Sequence, residues 1–207
     1  MSDAVPQIPA ILDLAGTAVF ALSGAVLAAR LKQTFVTMAF FALVTGVGGG
    51  SVRDLLIGAP VFWVRDPWVA AVCLGTALIA WFTPRRWWDG ALLDYADAAG
   101  LAVYAVLGTA KALAFAVAPI PAVVMGIVTG CVGGIIRDVL AGRPSILMRP
   151  ELYVTAAALA STICAIGAVL NGPRELVWSM AALAGFALRA SAIRFGLRLP
   201  AYRREDT

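Results

Sequence analysis

Seven apolar stretches divide the chain, at about residues 11–30, 34–57, 67–83, 94–115, 119–140, 151–170 and 175–195. Each approaches the run of about 20 apolar residues that an α-helix needs to cross the hydrocarbon core of a bilayer. Polar positions gather between them, in short connections carrying Arg, Pro and Gly. The pattern predicts an all-α polytopic membrane protein with seven transmembrane helices. All 207 residues fall into one transmembrane domain.

The pattern also repeats itself at an offset of 84 residues. Gly48-Gly49-Gly50-Ser51-Val52-Arg53-Asp54 returns as Val132-Gly133-Gly134-Ile135-Ile136-Arg137-Asp138. Asp13 meets Asp97, Gly24 meets Gly108, Thr45-Gly46 meets Thr129-Gly130, and Gly58 and Pro60 meet Gly142 and Pro144. About a third of the positions from 13 to 66 are identical to those 84 residues later. The first unit spans about 11–83 and the second about 94–170. The stretch at 175–195 has no counterpart, and a tail covers 196–207. A unit with three spans re-enters the bilayer from the opposite side when repeated. An inverted three-plus-three repeat with one added helix is therefore expected, an arrangement common in proteins that move solutes across membranes.

Two of the stretches, 34–57 and 119–140, run apolar to Thr-Gly, meet a glycine cluster and end on Arg-Asp. Glycine costs about 1 kcal/mol relative to alanine inside a helix. Gly48, Gly49 and Gly50, and likewise Gly133 and Gly134, are expected to kink or unwind their helices. The freed backbone groups would then line a watered path, the only setting that tolerates them at membrane depth. The other reading of the same glycines is close helix crossing.

The ionisable residues that follow are costly to place against lipid, about 2.5–3.5 kcal/mol each at a helix centre. Threading the topology pairs Asp13 with Arg53 on the outer side and Asp97 with Arg137 on the inner side. Lys111 breaks the symmetry, because its repeat counterpart is Leu27. It is read either as a snorkelling lysine or as a charge that lines or plugs the path.

Composition agrees with the membrane reading: 61% of the residues are hydrophobic and 14% charged, against about 25% charged in soluble domains. The net charge of +4 does not call for nucleic acid. Its arginines and lysine concentrate in alternate connections: Arg30 and Lys32, Arg85 and Arg86, Arg143 and Arg149, then Arg194, Arg198, Arg203 and Arg204. That bias puts the N-terminus outside and the C-terminus in the cytoplasm. Histidine is absent, and Cys73, Cys131 and Cys164 sit singly in apolar stretches, so no metal site is expected. There is no Walker, GxSxG or HExxH motif and no base to activate a serine, so no enzyme is expected.

The doubled motif, Thr-Gly-x-Gly-Gly-Gly-x-x-Arg-Asp and Thr-Gly-x-x-Gly-Gly-x-x-Arg-Asp, each followed by Gly-x-Pro, resembles the prokaryotic trimeric intracellular cation (TRIC) channel family. The same family has been labelled a glycine transporter family. The resemblance covers about residues 8–195. It implies a homotrimer with a monovalent-cation path, potassium over sodium, inside each protomer around the second and fifth helices. Carried over by motif, the path residues are Thr45, Gly48, Gly49, Gly50, Ser51, Arg53, Asp54, Thr129, Gly133, Gly134, Arg137 and Asp138, with Asp13, Asp97 and Lys111 as ion-pair or gating candidates. No cofactor is implied beyond permeant K+ and bound membrane lipid. The animal channels carry a Lys-Glu-Val segment beside a phosphoinositide site; this chain has Gly-rich Arg-Asp there. The expected location is a prokaryotic inner membrane. A potassium-permeable channel is the leading expectation, and a carrier of a small amino acid such as glycine is the alternative.

Overall fold

The computed structural model describes residues 10–88, 91–148 and 150–200. Among them the chain forms eight α-helices and no strand: α1 (Ala10–Arg30), α2 (Phe35–Leu56), α3 (Phe62–Arg65), α4 (Pro67–Phe82), α5 (Ala91–Ala114), α6 (Pro119–Leu140), α7 (Val154–Val169) and α8 (Arg174–Phe195). Helices lie at all seven apolar stretches read from the sequence. Five of them, α1, α2, α5, α6 and α8, are long and apolar enough to cross a membrane. α4 and α7 are apolar but have 16 residues each, about 24 Å of helix at about 1.5 Å per residue.

Local chemistry sets the ends. Thr34 caps α2 by accepting from the Thr37 N–H. Asp66 caps α4 through the Trp68 N–H, and Pro67 takes the first helical position, where no N–H is needed. α2 and α6 both run out into a left-handed glycine, Gly58 at φ +68° and Gly142 at +63°. Only glycine takes that conformation without a steric cost, and it turns the chain back toward the helix it has left.

The expected breaks in the second and fifth spans do not occur. α2 is helical without interruption through Gly48–Gly50, and α6 through Gly133 and Gly134. In an apolar setting no water competes for the backbone hydrogen bonds, so glycine's weak propensity does not open the ladder. The glycines serve the other reading, close approach. A Cβ on Gly49 would collide with the Thr129 carbonyl, and one on Gly133 with the Thr45 carbonyl.

Those contacts also give the arrangement of the halves. Thr45 faces Gly133 while Gly49 faces Thr129, so α2 and α6 cross antiparallel. The two contacts exchange under the 84-residue offset. α1 and α5 do the same: Gly16 sits against Tyr104, and Gly100 against Val19 and Phe20. One buried cluster gathers on α1, α2 and α4 around Met38, Val69 and Cys73. The other joins α5, α6, α7 and α8 around Leu101, Tyr153 and Cys164.

Candidate functional site

The crossing of α2 over α6 is the tightest place between the repeats. Thr45 is buried there, and its hydroxyl has no hydrogen-bond partner among the described residues. Thr129, its counterpart, turns its hydroxyl back onto the Met125 carbonyl at 2.6 Å. Gly48 faces the Ile136 side chain, and Gly50 the Phe62 ring. Gly134 has only ordinary contacts, with the Tyr153 hydroxyl and the Arg137 guanidinium. Ser51 lies to one side, donating to the Val47 carbonyl at 2.7 Å and accepting from the Trp63 indole at 2.9 Å.

Each helix ends in a charged knot, and the two knots share the same arginine and backbone-amide contacts to the aspartate. Asp54 accepts from Arg53 Nε at 2.8 Å and, through its other oxygen, from the Phe62 N–H at 3.0 Å. Asp138 accepts from Arg137 Nε at 3.0 Å and from the Ile146 N–H at 3.1 Å. The left-handed glycine and the proline two residues on swing the chain around, so that a backbone amide eight residues past the aspartate lands on its carboxylate. Both aspartates are buried. Buried charge is tolerable because its acceptor sites are filled.

Beyond the knots lie two cavities of about 390 Å³ each. They share no lining residue and sit at opposite ends of the antiparallel pair, one by Arg53 and the other by Arg137. The first is lined on its polar side by Asp13, Arg53, Lys111 and Arg174, and on its apolar side by α5, α7 and α8 residues including Cys164 and Trp178. The second is mostly polar, with Ser23, Asp94, Asp97, Arg137, Asp138, Glu151 and Arg189 among its walls beside apolar residues such as Val26, Leu93 and Ile193.

The threaded ion pairs meet different fates. Arg137 Nη1 stands 3.9 Å from Asp97 and 3.0 Å from Ser23 Oγ. Asp13 and Arg53 share the first cavity, yet no ion pair forms between them among the described residues. Lys111 supplies the reason. Its ammonium reaches Asp54 at 2.8 Å, joining Arg53 on the same carboxylate oxygen. Lys111 therefore does not snorkel; its side chain is 15% exposed. Leucine at position 27 leaves the second knot without such a lysine, and Arg137 reaches back to Asp97 instead.

Of the motif residues, Arg53, Arg137 and Asp138 line a cavity. Asp54 stands behind the first, and Thr45, Gly48, Gly49, Gly50, Ser51, Thr129, Gly133 and Gly134 lie between the two. Sequence reasoning passed over Arg189 and Glu151, which pair at 2.7 Å beside the second cavity, and Tyr153, buried beneath the Arg189 guanidinium. An arginine well inside the apolar stretch 175–195 was the available signal for the first.

A family model described as "Glycine transporter" matches residues 10–85 and again residues 94–169. Its two matches fall on the two sequence units. A UPF0126 membrane protein of Vibrio cholerae is 39% identical over 93% of this chain and 82% of its own length. The UPF0126 inner membrane protein YadS of Escherichia coli is 38% identical over 94% of this chain and 96% of its own. Among solved structures, the TRIC trimeric intracellular cation channel orthologue from Rhodobacter sphaeroides superposes with a TM-score of 0.83 at 36% identity. That match covers 91% of this chain and 98% of the other. These relatives are membrane proteins and channels rather than enzymes. With the repeat matched twice and similarity running nearly end to end, the chain belongs to the glycine transporter (UPF0126) family of bacterial membrane proteins, the family of the prokaryotic TRIC channels.

Proposed function

We propose that the protein is a potassium-permeable cation channel of the bacterial inner membrane, a homotrimer with an ion path inside each protomer. In this reading the seven longer helices span the bilayer as an inverted three-plus-three repeat plus α8. The N-terminus lies outside and the C-terminus in the cytoplasm. The observation that carries it is the placement of two charge-bearing cavities at opposite ends of one helix crossing, within a single chain. A path along the three-fold axis would need no such pair.

Cations enter by the Asp13 cavity outside and the Asp97 cavity inside. These two carboxylates, rather than the fully engaged Asp54, supply the attraction. Arg53 and Arg137 keep the mouths from holding a cation too tightly, since conduction needs weak sites. Between the mouths, Thr45 and Thr129 offer hydroxyls where α2 and α6 touch backbone to backbone. That crossing is closed here. Glycine faces carry no side chains to interlock, so a small shift of α2 against α6 opens the path. The Rhodobacter orthologue, by name a trimeric intracellular cation channel, supports the assignment.

The test is single-channel recording from purified protein in planar bilayers under asymmetric KCl. Discrete openings that reverse toward the potassium potential support the channel. A second reading is a carrier for a small amino acid such as glycine. Two cavities kept apart by a closed crossing also suit alternating access. Electrical silence with saturable glycine uptake in the same liposomes would replace the channel by the carrier.

A further inference from the structure

One wall of the second cavity owes nothing to the repeat. α8 stops at Gly196, left-handed at φ +65°, and the chain doubles back beneath the cavity. Glu151 and Arg198 pair in an isolated antiparallel bridge. Beside it, the Leu199 N–H donates to the Pro150 carbonyl at 2.8 Å. Gly196, Leu197, Arg198 and Glu151 all line the cavity. The bridge thus forms part of the cavity's wall.

The same bridge touches the charges inside. The Glu151 carboxylate accepts from Arg189 Nη2 at 2.7 Å. The Arg189 guanidinium lies over the Tyr153 ring, 5.2 Å from its centroid. Asp97 and Arg137, 3.9 Å apart, line the same cavity as Glu151 and Arg189. Among the described residues the backbone hold on the segment is slight. Leu197 and Leu199 are both exposed, and one isolated bridge is far below the three paired strands that stand alone in water.

We propose that residues 196–200 form a latch across the mouth of the second cavity. Fastened, the latch narrows access to Asp97 and Arg137; released, it widens the cytoplasmic mouth. Among the described residues the first cavity has no corresponding segment, because α8 is outside the repeat. Control of opening is therefore one-sided, exerted from the C-terminal face.

Leu199→Pro removes the donating N–H and suits the extended backbone, while Leu199→Ala keeps it. Ile193→Cys, on the cavity wall, serves as reporter for a charged methanethiosulfonate added from the C-terminal side. The native cysteines are buried and give little background. With Leu199→Pro, the reporter's modification rate should rise roughly five- to ten-fold, the shift that loss of one hydrogen bond produces. With Leu199→Ala it should stay at the parent rate. Equal rates in all three proteins overturn the latch. This readout needs no conduction, so it stands apart from the channel reading on which the functional consequence rests. For that consequence, Pro150→Cys with Leu199→Cys places two thiols opposite each other in the bridge. Such pairs stand about 5.5 Å apart at Cα, within disulfide range. Oxidation should lower potassium flux and reductant restore it. Flux indifferent to the cross-link while the reporter responds to Leu199→Pro would remove the second cavity from the ion path and leave the latch in place.

Discussion

Phe20 and Tyr104, which hold the same position in the two repeats, stack on each other with ring centroids 5.3 Å apart and planes 12° from parallel. A position can meet its own copy only where the local two-fold axis passes, so this stack marks the axis between the halves. The one chemical difference is the phenol. Tyr104 exchanges a hydrogen bond with the Thr17 hydroxyl and donates to the Asp13 carbonyl at 3.0 Å. Tyr104→Phe restores the residue of the first repeat. Thr17, whose one proton goes either to Tyr104 or to the Asp13 carbonyl, then donates to the carbonyl alone. The change should cost about 1 kcal/mol, the net worth of one hydrogen bond. Tyr104→Ala should cost about 3–5 kcal/mol, because it empties the stack. Thermal unfolding in detergent that ranks the two variants equally would show that the stack carries no special weight.

At the crossing, adjacent glycines should respond in opposite ways to the same substitution. Alanine normally gains about 1 kcal/mol over glycine in a helix. At Gly133 that gain is lost, because the new methyl meets the Thr45 backbone, which cannot rotate aside. At Gly134 the nearest atoms are 3.6 Å and 3.7 Å away, ordinary contacts. Gly134→Ala should therefore fold as well as the parent or slightly better, and Gly133→Ala and Gly49→Ala should fold poorly. Melting temperatures in matched detergent decide it. Equal tolerance at 133 and 134 would mean that the crossing is looser than these contacts require.

Lys111 and Asp54 should be energetically coupled. Their contact joins α5 to the end of α2 at 2.8 Å with both groups largely shielded. Removing one partner of a shielded pair costs about 3–5 kcal/mol, since the other charge is stranded. Here Arg53 and the Phe62 N–H remain on Asp54, which puts Lys111→Met at the low end. Asp54→Asn strands two cations and should cost more. The double variant should lose less than the sum of the singles. Strict additivity in a double-mutant cycle would make the contact incidental.

The sequence carried the spans and the duplication, because hydropathy follows the bilayer and the 84-residue offset survives at Gly, Pro, Arg and Asp. It misled about Gly48–Gly50, since glycine's propensity is a property of helices in water and the contacts with Thr129 lie 80 residues away. The pairing of Arg53 with Asp54 was also hidden. Neighbours in a helix do not face each other; the two meet because Asp54 sits in the last turn, where the Gly58 reversal brings the Phe62 amide onto it. The Asp13–Arg53 pair was drawn from the topology, which brings both residues to one side of the membrane; the structure instead holds Arg53 on Asp54 beside Lys111, the residue that breaks the repeat. Nothing in the local pattern says that Lys111 reaches a carboxylate 57 positions earlier. Arg189 was legible in principle, as a charge isolated in apolar sequence.

Asp13 and Asp97 give the ion path its most direct test. Each carboxylate stands in a cavity at one end of the crossing, so each should concentrate cations at its own mouth only. Asp13→Asn should lower current carried inward and Asp97→Asn current carried outward, giving opposite rectification. The effect should be larger at Asp13. Arg137 stands 3.9 Å from Asp97 and already offsets part of its charge, whereas Asp13 makes no ion pair among the described residues. Surface attraction of this kind works across the Debye length, about 10 Å at 0.1 M salt and about 3 Å at 1 M. Both deficits should therefore be several-fold in dilute KCl and fade in molar KCl. A deficit that persists at high salt would mean that the carboxylate binds the ion directly. Loss of rectification with either variant unchanged would take that cavity out of the path.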